Sequence, residues 1–364
     1  MQPSLRISTF LIRLWLLSLV KHVSGYNLTF AMSRVELGFS EECEPWQVES
    51  YQFPTKIGGK PAWLDLENLP KPEDLQCETC HEPLIFLCQI YAPYEDDDQN
   101  FHRTVFLFIC RNPECCVRNS SSNVKAFRSS LPRRNKFYSF EPPPERRNSD
   151  FFLSKWVSLC NLCGCLGEKK CGKCKKATYC SREHQVLDWK QEHKNECEKG
   201  ETLGRISSKL FPQSMIVTEP EENDEKTVDE SEEVEKFHQL EREGKTGTMG
   251  DVSDKDLEKY AICDSDKAFT RFKKRISDNN EQILRYERGG EPLWIATDPK
   301  PDNIPNCEYC GSPRQYEFQI MPQLFFILHE NDLDVGIIIV YTCKESCTTG
   351  DNYKKEFVFK QDVK

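Results

Sequence analysis

The sequence predicts a mixed, mainly β protein: a duplicated zinc-ribbon-like β domain, split by an inserted cysteine-rich finger and an acidic linker, with one amphipathic helix before the second copy. Two observations carry that prediction. Anchor residues of one half recur in order and spacing in the other, and four closely spaced Cys and His pairs crowd into residues 160–197. In chain order this gives an N-terminal extension (1–31), a first β repeat (32–140), a linker (141–159), the finger (160–197), an acidic disordered linker (198–253), and a helix with the second β repeat (254–364).

The extension is signal-like. Arg6 precedes an apolar stretch over residues 10–20, and Val23 and Gly25 occupy the small-residue positions of a cleavage site. Glycosylation sequons lie at Asn27 and Asn119. Against secretion, Arg13 interrupts the apolar run, Lys21 and His22 sit just before the cleavage point, and the run is too short to cross a bilayer. Met32 offers an alternative start, so the extension also reads as a mispredicted beginning.

Residues 32–140 are rich in aromatic and apolar side chains broken by Pro and Gly, the pattern of short strands and turns. The strongest strand candidates are residues 84–91 and 103–110. The EPPPERRNSD run at 141–150 is a linker by composition. Residues 219–235 hold ten carboxylates and one lysine, which no packed core accommodates, so that stretch is expected to be disordered. Beyond it, Phe269, Phe272, Ile276, Ile283 and Leu284 recur at roughly helical spacing over residues 266–286, until Gly289-Gly290 ends the run.

The repeat is legible through its anchors. Gly58-Gly59-Lys60-Pro61-Ala62-Trp63 is matched by Gly289-Gly290-Glu291-Pro292-Leu293-Trp294. A Cys-x2-Cys pair follows each (Cys77/Cys80 and Cys307/Cys310), then Gln89-Ile90 and Gln319-Ile320, then a second cysteine group: Cys110 with Cys115 or Cys116, and Cys343 with Cys347. Two cysteine turns joined by a strand and its return are the layout of a zinc ribbon, in which both turns meet at one metal. The candidate ligands are Cys77, Cys80, Cys110 and Cys115 in one copy and Cys307, Cys310, Cys343 and Cys347 in the other, which adds up to two zinc ions. The competing reading is of plain buried thiols, since free Cys is commonly buried. Trp63 and Trp294 read as core, and pairing of the two copies would close one barrel or sandwich.

With 364 residues, 38% hydrophobic and 30% charged, the chain can bury a core without disulfides. A mean hydropathy of -0.65 argues against a multi-spanning membrane protein. The net charge of -10 makes sequence-independent nucleic-acid binding a poor fit and favours a basic partner. Nineteen cysteines, an odd number set in close pairs, fit metal sites in a reducing compartment better than a disulfide scaffold.

The finger is the most specific signal. Its pairs run Cys160/Cys163, Cys171/Cys174, Cys180/His184 and His193/Cys197. A structural zinc takes four ligands, so eight ligands make two sites. Pairs taken in alternation give Cys160, Cys163, Cys180 and His184 to the first zinc, and Cys171, Cys174, His193 and Cys197 to the second. So short a segment has little core and folds on metal-binding energy. Residues 181–195 read as a helix, with Val186 and Trp189 covering the metals, and Cys165 reads as a small core residue. With every ligand committed, no open position remains for a catalytic metal.

This arrangement resembles the MYND zinc finger, including Thr178-Tyr179-Cys180 and the His-x3-Cys ending. The resemblance implies a module that docks short proline-containing segments of other proteins. A RING-type ligase also interleaves two zincs but fits the spacing from Cys163 to Cys171 poorly.

A wider resemblance runs through Val35-Glu36-Leu37-Gly38-Phe39, residues 58–64, Gln89-Ile90-Tyr91-Ala92-Pro93, residues 101–110, residues 131–138, the finger, residues 281–286, and Cys343 with Cys347. In this order the segments are similar to the programmed cell death protein 2 family. The resemblance implies a non-enzymatic escort, or chaperone, for a basic small-subunit ribosomal protein in ribosome biogenesis, moving between cytoplasm and nucleus. The acidic run would screen such a client or simply tether the two halves. The alternative is an adaptor whose finger recruits co-repressor proteins in transcription or apoptosis. No phosphate-cradling Gly loop, G-x-S-x-G or H-E-x-x-H motif is present, so no catalytic or cofactor-binding residue is singled out.

Overall fold

A computed structural model describes residues 35–199, 207, 209–222, 264–330 and 332–363. The first half supplies strands β1 (Glu36–Glu41), β2 (Lys56–Ile57), β3 (Ile85–Tyr91), β4 (His102–Ile109) and β5 (Val124–Leu131). The finger holds β6 (Lys169–Lys170) and β7 (Thr178–Tyr179), and β8 (Ser214–Pro220) follows it. The second half supplies β9 (Leu284–Tyr286), β10 (Arg314–Ile320), β11 (Ile337–Cys343) and β12 (Tyr353–Gln361).

Ten of these strands close one barrel, in the order β1-β8-β2-β3-β4-β5-β12-β11-β10-β9. Its pairings are antiparallel, and closure rests on contacts between distant parts of the chain. β5 pairs with β12 from Ser129↔Tyr353 to Ala126↔Glu356, while β1 lies between β8 (Phe39↔Val217) and β9 (Leu37↔Arg285). The order is palindromic: β2 answers β9, β3 answers β10, β4 answers β11 and β5 answers β12. The two halves thus form opposite walls, with β1 and β8 completing the circuit.

Both faces of the walls are covered, which explains why these strands are apolar runs rather than alternating ones. On β11, Ile338 and Val340 join the main core, whereas Ile337, Ile339 and Tyr341 join a second cluster with Phe272, Ile295 and Met321. On β4, Phe106 and Phe108 pack outward against Trp63, with ring centroids 5.2 and 5.8 Å away. The interior is partly ionic. β4 and β10 are not neighbours, so the buried pair from Arg103 to Glu317 spans the barrel, helped by Thr342 and Ser346. Beside it, Glu356 accepts from Arg128 at 2.7 Å and Arg314 at 3.0 Å. Burial alone would raise the Glu317 carboxyl, but the Arg103 guanidinium wins and holds it down at about 2.

The halves correspond in contacts as well as order. The Gln89 amide accepts from Ala62 N–H at 2.8 Å and donates to Ala62 O at 3.2 Å. Gln319 does the same to Leu293, at 2.6 and 3.0 Å. Ala62 and Leu293 each precede the repeated tryptophan, so one glutamine clamps one Gly-Gly-x-Pro loop to each wall.

Several sequence expectations are corrected. β8 lies inside the stretch 198–253 read as a disordered linker. Its Met215-Ile216-Val217 core is strand-forming, but the adjacent carboxylates dominate composition over any window of useful length. The helix expected over 266–286 is α3 (Asp264–Ile276), and Ile283 and Leu284 turn instead into the barrel at β9. The linker at 141–159 packs on the first half: Phe151 meets Tyr51 and Tyr138, and Trp156 meets Phe137 at 5.0 Å. The N-terminal extension, Asn27 and most of the acidic run lie outside the described residues. Asn119, the second sequon, caps β12 by accepting from Asp362 N–H at 2.8 Å.

Candidate metal centres

Each Cys-x2-Cys pair forms the same tight turn. The residue after the second cysteine enters the left-handed region and donates its N–H to the carbonyl of the first cysteine. That residue is His81 at φ 60°, Gly164 at 74°, Lys175 at 57° and Gly311 at 75°. The bonds are His81 to Cys77 at 3.0 Å, Gly164 to Cys160 at 2.9 Å, Lys175 to Cys171 at 2.9 Å, and Gly311 to Cys307 at 2.8 Å. The turn points both thiols to one side, where a second pair arrives.

Four groups of four ligand atoms result: Cys77/Cys80/Cys110/Cys115, Cys160/Cys163/Cys180/His184, Cys171/Cys174/His193/Cys197 and Cys307/Cys310/Cys343/Cys347. These are the sets read from spacing, and the structure brings every member together. Cys115 rather than Cys116 completes the first group. The Cys116 thiol turns away to the Asp334 carbonyl at 3.2 Å and Lys360 at 3.5 Å.

The dimensions fit zinc. A tetrahedron with zinc–sulfur bonds of about 2.3 Å has sulfur–sulfur edges of roughly 3.8 Å. Observed edges are 3.7 Å for Cys80–Cys110, 3.6 Å for Cys163–Cys180, 3.9 Å for Cys171–Cys197, 3.7 Å for Cys307–Cys347 and 3.6 Å for Cys310–Cys343. All are far longer than a disulfide of about 2.05 Å. His184 presents Nδ1, 3.1 Å from the Cys180 sulfur, and His193 presents Nε2, 3.5 Å from that of Cys174. The four groups are therefore positioned to bind zinc, and each closes with protein atoms alone.

In the finger, Ser181 caps α1 (Arg182–Asp188) by accepting from His184 N–H at 3.1 Å. A π-helical turn (Trp189–His193) links it to α2 (Lys194–Lys199). His184, on the first turn of α1, serves the first site, and His193, at the end of the π-helical turn, serves the second. Tyr179 and Asn161 both donate to Asp188 Oδ2, at 2.7 and 2.9 Å, tying strand, knuckle and helix together. Cys165 is buried as expected, and Trp189 packs edge-on to His193, but Val186 faces solvent at 43% exposure and covers no metal.

Sequence reasoning missed how the finger is held. The Trp63 indole N–H donates to the Gly164 carbonyl at 2.7 Å, and the Lys60 ammonium to the Asn161 carbonyl at 2.7 Å. The Gly-Gly-x-Pro loop of the first copy thus seats the first zinc knuckle. Nothing local in the sequence signals this, because each contact joins residues about a hundred positions apart.

Residues 34–145 match the programmed cell death protein 2 N-terminal domain, residues 266–362 its C-terminal putative domain, and residues 160–197 the MYND finger. Over 345 residues the chain is 43% identical to programmed cell death protein 2 of Mus musculus, which covers 90% of this chain and 96% of the relative. The chain belongs to the programmed cell death protein 2 family. More distant relatives of the family include programmed cell death protein 2-like of Gallus gallus, 30% identical, covering 84% of this chain and 89% of the relative. They also include the probable 20S rRNA accumulation protein 4 of Schizosaccharomyces pombe, 25% identical, covering 85% and 92%. No solved structure matches the chain. No helix among the described residues is long and apolar enough to cross a membrane.

Proposed function

We propose that this protein is a non-enzymatic, zinc-dependent escort of a basic small-subunit ribosomal protein during ribosome assembly, working in cytoplasm and nucleus. The name of the Schizosaccharomyces pombe relative, which refers to 20S rRNA accumulation, carries the ribosomal part of the reading. Closed coordination at all four metal groups supports a structural rather than catalytic use of zinc. The net charge of -10 suits a client that must be screened from other polyanions until it meets RNA. Affinity capture of the full chain followed by mass spectrometry tests this. The expected result is one small-subunit ribosomal protein at near-equal stoichiometry, released by salt. Absence of any ribosomal protein overturns it.

A second reading makes the finger an adaptor for co-repressor proteins, favoured by the exposed Val186 on the helix that carries His184. It expects Cys171→Ser to abolish co-repressor capture, and retained capture counts against it.

A further inference from the structure

The two Gly-Gly-x-Pro-x-Trp loops are built alike but covered differently. In the first half, two stretches of backbone lie over the loop. Residues 211–213 pass the glycines, with Gly59 N–H donating to the Phe211 carbonyl at 2.9 Å, and the knuckle at 161–164 accepts from Lys60 and Trp63. Lys56 also donates from beneath, to the Gln213 side chain at 2.9 Å. In the second half Lys300, Pro301 and Ile304 form one wall beside the loop, and no described backbone takes the place of the knuckle at its tryptophan. A groove of about 510 Å³ remains, lined by Gly289, Gly290, Glu291, Trp294, Tyr316 and Tyr341.

The charges on this groove are reversed. Aligned on the paired glycines, Lys56 and Lys60 of the first half become Glu287 and Glu291. Glu287 sits over Gly290, where a Cβ would stand 2.0 Å from its carboxylate oxygen. Neither glutamate forms an ion pair among the described residues, and the Trp294 indole N–H, counterpart of the donor that holds Gly164, has no acceptor among them. The cation on the groove wall, Lys300, lies over the Trp294 ring at 5.2 Å.

We propose that this groove docks an extended, Lys- or Arg-bearing segment of a partner protein. Its backbone runs past Gly289-Gly290 and offers a carbonyl to Trp294, and its cationic side chain meets Glu287 and Glu291. The first half shows that such a loop accepts main chain in this way, and the charge reversal selects a basic occupant. This chain's own acidic run is a poor occupant, because its carboxylates would face those of the groove. The proposal rests on the escort reading and gives that client a place to bind.

The test uses the zinc-loaded full chain and two probes: fluorescent 15-residue peptides tiling the basic proteins of the small ribosomal subunit, and the intact proteins themselves. Glu287→Lys/Glu291→Lys is expected to weaken the best-binding peptide at least tenfold with an unchanged melting temperature, and Trp294→Phe, which also loses packing on Phe359, severalfold. Binding by the charge-reversed protein within twofold of the original, or no binding of any basic peptide, overturns the groove. If an intact ribosomal protein still binds the reversed variant, the groove falls and the escort reading stands. If basic peptides bind through the groove but no intact ribosomal protein does, the escort reading falls and the groove stands.

Discussion

His81 and Lys175 hold left-handed backbone at exposed positions where Gly164 and Gly311 hold it without strain. A side chain in that region costs roughly 1–2 kcal/mol, against about 0.5–1 kcal/mol of extra chain entropy for glycine. His81→Gly and Lys175→Gly are therefore expected to leave zinc content unchanged and raise the melting temperature slightly. Gly164→Ala should lower it, because the new Cβ would stand 2.7 Å from the Lys60 Cβ. His102 gives a pH signature. It stacks on Phe53 at 4.1 Å, its Nδ1 lies 3.0 Å from the Tyr91 hydroxyl, and burial, then the charge of Arg133, push its imidazole down to about 4 from 6.5. Between those values the unfolded chain binds the extra proton, so stability falls as pH drops through the window, by at most about 1.4 kcal/mol per unit. Urea titrations at pH 7 and 4.5 should show His102→Asn losing roughly 2 kcal/mol less than the unmodified protein over that range.

At the level of elements, the four knuckles predict four zinc ions per chain by metal analysis. Cys171→Ser and Cys307→Ser should each remove one, and a chelator should lower the melting temperature of all three proteins. The ligand sets were legible in sequence because a knuckle is local: two thiols with two residues between them, and a matching pair at ribbon distance. The strands that close the barrel were not. β2 spans only Lys56–Ile57 and β9 only Leu284–Tyr286, too short for any periodicity, and their strand character comes from partners on other segments. β8 was hidden for a different reason, since the acidic residues beside it outweigh three apolar ones. The seating of the finger by Trp63 and Lys60 is likewise a tertiary fact with no local trace.

For the whole molecule, the ionic interior couples the halves. Glu317→Gln leaves the buried Arg103 guanidinium without its countercharge, and breaking such a pair costs about 3–5 kcal/mol. Arg103→Met/Glu317→Leu together should recover most of that loss, and the difference between single and double variants in urea measures the coupling. The barrel also has an order in time. β5 waits for β12, its partner some 220 residues later and the last of the described strands. At about 5–20 residues per second, the unpaired edge of β5 stands open for roughly 10 to 45 seconds of synthesis. The proposed escort thus passes through a vulnerable interval of its own, and a message truncated before residue 353 would yield a product with that edge permanently bare.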